Sequence, residues 1–237
     1  MAKQRRKIVT AGRYCRAVQY TMITDIEAQR SRAPKELVSS CAREAINLHQ
    51  SFQKLKAAIA ANFDAGDLVV TLTYSDACLP PGRDAAEKIL KRFIRRLRAE
   101  RRAAGADLRY IYVSELGHSR GRPHHHIILN ATGTDYDTLR RLWQYGDQID
   151  IRRIADKGFD GWARYLSKEP REHGRRRVGE RMWRNSRNLV KPIVDAGWVD
   201  AGDDLTAPPG AYILDRQERV NCYGRFAYLE YLLPPKT

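Results

Sequence analysis

The segment LRYIYVSE (Leu108–Glu115), LGHSRGR (Leu116–Arg122) and PHHHIILN (Pro123–Asn130) decides the fold. Its two outer runs are rich in β-branched and aromatic residues, and the seven residues between them include Gly117 and Gly121. That pattern predicts an antiparallel hairpin with a longish loop. Upstream, LVVTLTY (Leu68–Tyr74) is a further β-branched run, closed by Ser75-Asp76 and Pro80-Pro81-Gly82, and reads as a strand. Between these strands Ala86, Ile89, Leu90, Phe93, Ile94 and Leu97 recur at three- and four-residue steps, the spacing of one helix face. Lys88, Lys91, Arg92, Arg95, Arg96 and Arg98 crowd the rest of that helix, so it packs on one side and is basic on the other.

Downstream of the hairpin, Tyr136–Tyr145 predicts a helix ending at Gly146, Gln148–Ile154 a strand, and Phe159–Glu169 a helix stopped by Pro170. The order β-α-β-β-α-β-α predicts an α+β fold, an antiparallel sheet with helices packed on one side, ferredoxin-like or RRM-like. This core is expected over 65–170. Before it, Leu37, Val38, Cys41, Ala45, Leu48, Phe52, Leu55 and Ile59 keep helical spacing from Pro34 to Asn62, so 1–64 is expected to be a helical extension. After Pro170 the composition shifts to Arg175-Arg176-Arg177 with several Pro and Gly and weak periodicity, and 171–237 is expected to be a basic, loop-rich extension.

The whole chain has 237 residues, and 43 Lys+Arg against 28 Asp+Glu leave a net charge of +15. A surplus of this size points to a polyanionic partner, because each neutralised phosphate releases counterions. With 43% hydrophobic and 30% charged residues the composition is that of a folded protein, which excludes wholesale disorder. No apolar run reaches 18 residues and no signal-peptide core follows Met1–Lys7, so a soluble, intracellular protein with no membrane partner is expected. Cys15, Cys41, Cys78 and Cys222 are scattered and form no C-x-x-C pair, as expected of free thiols in a reducing compartment.

The densest chemical signal is His124-His125-His126. Side chains alternate across a strand, so His124 and His126 share one face about 7 Å apart while His125 points to the other with Ile127 and Leu129. Two such imidazoles can converge on a divalent ion, whereas His125 reads as a satisfied core residue. Glu115 ends the preceding strand, and the hairpin returns it beside the histidines as a third, oxygen ligand. Such a set suits Mg²⁺ or Mn²⁺ and leaves positions open for water and a phosphate oxygen. His118, in the loop, is a weaker candidate for the same role. Tyr165 and Lys168 share a face of the last helix, where an ammonium and a metal-polarised phosphate would make a phenol a competent nucleophile. An isolated Y-x-x-K match would more often belong to an ordinary amphipathic helix.

Taken in order, Val70–Tyr74, His124-His125-His126 and Tyr165-Leu166-Ser167-Lys168 resemble the three motifs of the HUH endonucleases, and among those the rolling-circle replication initiator (Rep) proteins of phages, plasmids and single-stranded DNA viruses. The resemblance covers about 65–170. The tyrosine follows the histidines, as in Rep proteins, whereas relaxases usually carry it near the amino terminus. Gly161 stands four residues before Tyr165, where two-tyrosine initiators carry another, which implies a one-tyrosine enzyme. His125 departs from the pattern, which normally has a bulky apolar residue there. The resemblance implies nicking and joining of single-stranded or hairpin origin DNA, with Tyr165 attacking the scissile phosphate, His124, His126 and Glu115 holding a divalent ion (Mg²⁺ or Mn²⁺), and Lys168 steadying charge near Tyr165. Relaxases and single-strand transposases use the same chemistry, and a non-catalytic nucleic-acid-binding module is the alternative outside it.

Arg92, Arg95 and Arg96 on the basic helix, Arg122 and Arg164 beside the motifs, and Arg175, Arg176 and Arg177 are the candidate DNA contacts. Trp143, Trp162 and Trp183 could stack on bases but more readily pack in the core. The sequence has no G-x-x-x-x-G-K-[ST] or G-x-G-x-x-G loop, so a separate helicase is expected to unwind the duplex and a separate polymerase to extend the nicked end. A bacterial cytoplasm is the expected location.

Overall fold

The run Leu68-Val69-Val70-Thr71-Leu72 is apolar at both odd and even positions, as a strand must be when layers cover both faces of its sheet. The computed structural model describes residues 3–22, 41–117, 121–146, 148–155, 159–167, 181–222 and 224–235. In chain order the elements are β1 (Lys3–Ala11), β2 (Tyr14–Thr21), α1 (Cys41–Asn62), β3 (Leu68–Leu72), α2 (Arg83–Ala103), β4 (Tyr110–Leu116), β5 (Pro123–Leu129), α3 (Asp135–Leu142), β6 (Ile149–Arg153), α4 (Phe159–Leu166), β7 (Arg184–Asn185), β8 (Ile193–Asp200), β9 (Tyr212–Asn221) and β10 (Gly224–Leu232). They divide into two compact units, one of Ala45–Leu189 and one of Met1–Glu44 with Val190–Thr237.

In the first of these units five antiparallel strands run in the order β6-β3-β5-β4-β7. Leu68, Val70, Leu72, Ile127 and Leu129 face α2 and α3, where Leu90, Phe93, Leu97, Leu139 and Leu142 close a core. Val69, Ile111, Val113 and Ile128 face the other way, against Phe52, Leu55 and Ile59 of α1 and Ala163 and Leu166 of α4. Each fully buried Leu, Ile or Phe contributes about 1.5–3 kcal/mol by leaving water. The α+β class and the antiparallel hairpin match the sequence reading, but helices cover both faces of the sheet rather than one. Periodicity identifies α1 as a helix and cannot say which face of the sheet it covers. For that reason the compact unit starts at Ala45 and runs on to Leu189, wider than the expected 65–170.

The second unit is a five-stranded antiparallel sheet in the order β8-β1-β2-β10-β9. One face holds a small core of Cys15, Ala17, Ala227, Leu229 and Tyr231, closed by Leu205. Gln19 donates to the Asp203 carbonyl at 2.8 Å and so ties the 201–211 loop to that face. The expected helical extension over 1–64 is therefore two strands followed by α1, and the expected loop-rich extension over 171–237 contains three long strands. The reason is physical: β9 is exposed along its whole length, so no buried face imprints a two-residue alternation on its sequence. Residues 23–40 and 168–180 lie outside the described residues, including Pro34–Ser40 of the predicted helix. Cys15, Cys78 and Cys222 are free thiols, as expected. Among the described residues no helix is long and apolar enough to cross a membrane.

Candidate active site

The hairpin register sets Glu115 directly opposite His124, and places Thr71 of β3 and Val113 of β4 on either side of His126. Alternation then puts Glu115, His124 and His126 on the sheet face covered by α1 and α4, while His125 turns into the α2 side. Glu115 Oε2 lies 3.4 Å from His124 Nε2 and 3.6 Å from His126 Nε2. One ligand atom from each of the three residues falls within 4.8 Å of the others, a group that could hold a metal ion.

The rings are oriented for that task. His124 Nδ1 lies 3.3 Å from the Arg122 carbonyl, which can only accept, so in the neutral ring Nδ1 carries the proton and Nε2 presents its lone pair. His126 Nδ1 lies 3.0 Å from Thr71 Oγ1, and a hydroxyl accepting there leaves Nε2 of His126 free in the same way. Burial opposes ionisation of Glu115, but hydrogen bonds and charge from the two imidazoles outweigh it and bring its carboxyl down to about 2. Its second oxygen, Oε1, is buried with no hydrogen-bond partner among the described residues. A buried carboxylate oxygen without a partner is costly, and a divalent cation is the partner that this donor set fits.

Tyr165 enters from α4, whose Ala163 and Leu166 are buried against the sheet while Tyr165 stays 42% exposed. Its hydroxyl lies 3.4 Å from His126 Nε2, and the two rings meet edge to face with centroids 4.7 Å apart. Trp162 supports the phenol from its own helix with centroids at 5.8 Å. Burial, and then the Glu115 carboxylate, hold the phenol above its ordinary pKa, with Arg152 acting in the opposite direction. The phenol therefore needs further positive charge to ionise near neutrality. Beside it opens a cleft of about 410 Å³ lined by Val69, Thr71, Asp150, Arg152, Gly161, Trp162 and Tyr165. Among the described residues nothing lies within 4 Å of where a Cβ on Gly161 would stand.

His125 is a core residue. It is fully buried, with Nε2 2.8 Å from the Tyr74 hydroxyl and Nδ1 2.8 Å from Ser114 Oγ. Burial first, then the neighbouring histidines, press its pKa down to about 3, so the ring is neutral. Trp143 is buried too, and its Nε1 donates to the Thr73 carbonyl. Trp162 and Trp183 are partly buried against the α1–α4 core.

The candidate DNA contacts are not all brought together. Arg92, Arg95 and Arg96 sit on exposed positions of α2, which covers the opposite sheet face from Glu115 and His126. Arg122 donates to the Tyr74 carbonyl at 2.8 Å and pairs with Asp76, which pins the entry of β5. Arg164 pairs with Asp160 one helical turn earlier and lies over the Phe52 ring. Lys168, His118, Arg175, Arg176 and Arg177 lie outside the described residues. Thr71, Asp150 and Arg152 escape a reading of the sequence alone. The alternation Asp150-x-Arg152 in β6 puts both on one face, but only strand order shows that this face adjoins Tyr165.

Neither the comparison with curated proteins nor that with solved structures returned a match. Residues 67–170, which carry Glu115, His124, His126 and Tyr165, match the family model of the ORF2-type replication-associated proteins.

Proposed function

We propose that this chain is an HUH-type endonuclease and strand transferase that nicks single-stranded DNA at a replication origin and so starts rolling-circle replication. The observation that carries the reading is the meeting of a partly exposed tyrosine hydroxyl with a Glu-His-His cluster on one sheet face, 3.4 Å from the nearer imidazole. The match of 67–170 to a replication-associated family supports the replicative role.

Tyr165 attacks the scissile phosphorus. A bond forms between its phenolic oxygen and phosphorus, the bond to the 3′-oxygen breaks, the phenolic proton passes to water, and the leaving oxygen takes one up as a free 3′-OH. The product is a 5′-phosphotyrosine, and reversal with another 3′-OH rejoins strands without ATP. Glu115, His124 and His126 would hold a divalent ion, Mg²⁺ or Mn²⁺, which when bound supplies charge that polarises the phosphate and favours the phenolate. Thr71 and the Arg122 carbonyl hold the two imidazoles in the orientation that this requires. Arg152, on the cleft wall, offers a cation to the phosphate that follows, and Lys168 steadies charge near the nucleophile.

The test mixes the full chain with labelled single-stranded oligonucleotides tiled across its replicon, in Mn²⁺ or in EDTA. A denaturation-resistant protein–DNA adduct that needs both metal and Tyr165 is expected. Salt-sensitive binding with no adduct on any tile would overturn the reading in favour of a non-catalytic module.

A further inference from the structure

The sheet of the second unit has one face closed by the 201–211 loop and one face that carries aromatic side chains in the open. Register puts Trp198, Arg5, Tyr20, Phe226 and Arg219 in a single row across all five strands, β8-β1-β2-β10-β9. Side chains at paired positions share a face, and the Arg5 guanidinium 5.4 Å over the Trp198 ring shows that this pair does. Trp198 is 53% exposed, Phe226 39% and Tyr20 37%, large values for rings that could have packed inward.

The next row places Lys7 between Ala196 and Val18 on the same face, and Lys3 pairs with Asp200 beyond Arg5. Four cations, Lys3, Arg5, Lys7 and Arg219, therefore surround the aromatic row with one carboxylate, Asp200. The other acids of this face, Asp215 and Glu230, pair with each other across β9 and β10, two rows away from the aromatics. Four inter-strand steps give the row a length of about 19 Å. Exposed rings interleaved with guanidinium groups on a flat sheet suit unpaired bases, which offer a π-face to each ring and a phosphate to each cation. Paired bases in a duplex cannot present those faces.

We infer that this sheet face is a second binding site for single-stranded DNA, in which bases stack on Trp198, Tyr20 and Phe226 while Arg5, Lys7 and Arg219 contact the backbone. The choice of DNA over another single-stranded nucleic acid rests on the replication reading above; the platform itself rests on the row. The site lies outside the residues that match the replication-associated family.

The experiment measures fluorescence anisotropy of a labelled oligo(dT) of about 20 nucleotides with the full chain in EDTA, where no nicking occurs. Trp198→Ala and Phe226→Ala are each expected to weaken binding about tenfold, the loss of one base stack, while Trp198→Phe keeps most of it. Arg219→Glu, a reversal on a fully exposed strand, is expected to weaken binding and flatten its salt dependence even if an aromatic variant folds poorly. An iodouridine-substituted strand is expected to cross-link to peptides containing Trp198 or Phe226. Affinity unchanged in all these variants, with cross-links only within 45–189, would overturn the inference. So would a dimer that Trp198→Ala converts to monomer with DNA affinity unchanged, which would make a second copy of this chain the occupant. The two readings fail separately: loss of the Tyr165 adduct leaves Trp198-dependent binding in place, and the reverse also holds.

Discussion

The Tyr165 hydroxyl lies 3.4 Å from Nε2 of His126, although 39 residues separate them in the chain. The strand and helix that carry them are packed through Ile128, Ala163 and Leu166, so the contact is set by the core and not by a flexible loop. Tyr165→Phe keeps the ring and its edge-to-face contacts with His126 and Trp162. It is expected to bind oligonucleotide as the parent does and to yield no covalent adduct on denaturing gels.

Calorimetric titration with Mn²⁺ examines the Glu115 cluster directly. Glu115→Gln removes the charged oxygen ligand and His124→Ala removes one imidazole, and each is expected to abolish measurable Mn²⁺ binding. Thr71→Val, which touches no ion, is expected to weaken it roughly 10- to 100-fold by releasing the His126 ring. In parallel, Mn²⁺ should raise the melting temperature of the parent and leave that of Glu115→Gln unmoved.

His125 shares its tripeptide with both candidate ligands and has a different job. Replacing it with Leu removes the partner of two buried hydroxyls, on Tyr74 and Ser114, and is expected to cost about 1–3 kcal/mol in urea unfolding. Mn²⁺ affinity should stay within a factor of two to three of the parent, about the scatter between such measurements. A large loss of Mn²⁺ binding with stability unchanged would reverse the assignment of His125 to the core.

Acid stability has a defined contributor in the pairing of Lys56 with Asp160 at 2.7 Å, where the ammonium is almost fully buried. Burial raises the Asp160 pKa, but hydrogen bonds from Lys56 and Arg164 outweigh it, and the folded value lies below the ordinary one. A carboxyl with a depressed folded pKa adds stability above its unfolded value of about 3.9, which is lost as pH falls through the folded value. Asp160→Asn is therefore expected to destabilise the chain at neutral pH and to differ less from the parent near pH 3. Urea midpoints at the two pH values check the sign.

The local elements of the first unit, and the chemistry they carry, are legible in the order of residues. Alternation in Pro123–Leu129 assigns His124 and His126 to one face and His125 to the other, because a strand has a period of two whatever surrounds it. The hairpin loop is short enough that Glu115 must return beside His124. What lies far apart in the chain is a matter of packing. That α1 and α4 cover the histidine face while the arginines of α2 sit behind the sheet depends on strand order, which local periodicity does not encode. The same holds for Arg152 beside Tyr165, and for β1 and β2 pairing with strands nearly 200 residues downstream. There, exposed strands such as β9 carry no alternating pattern, because only burial against a partner imposes one.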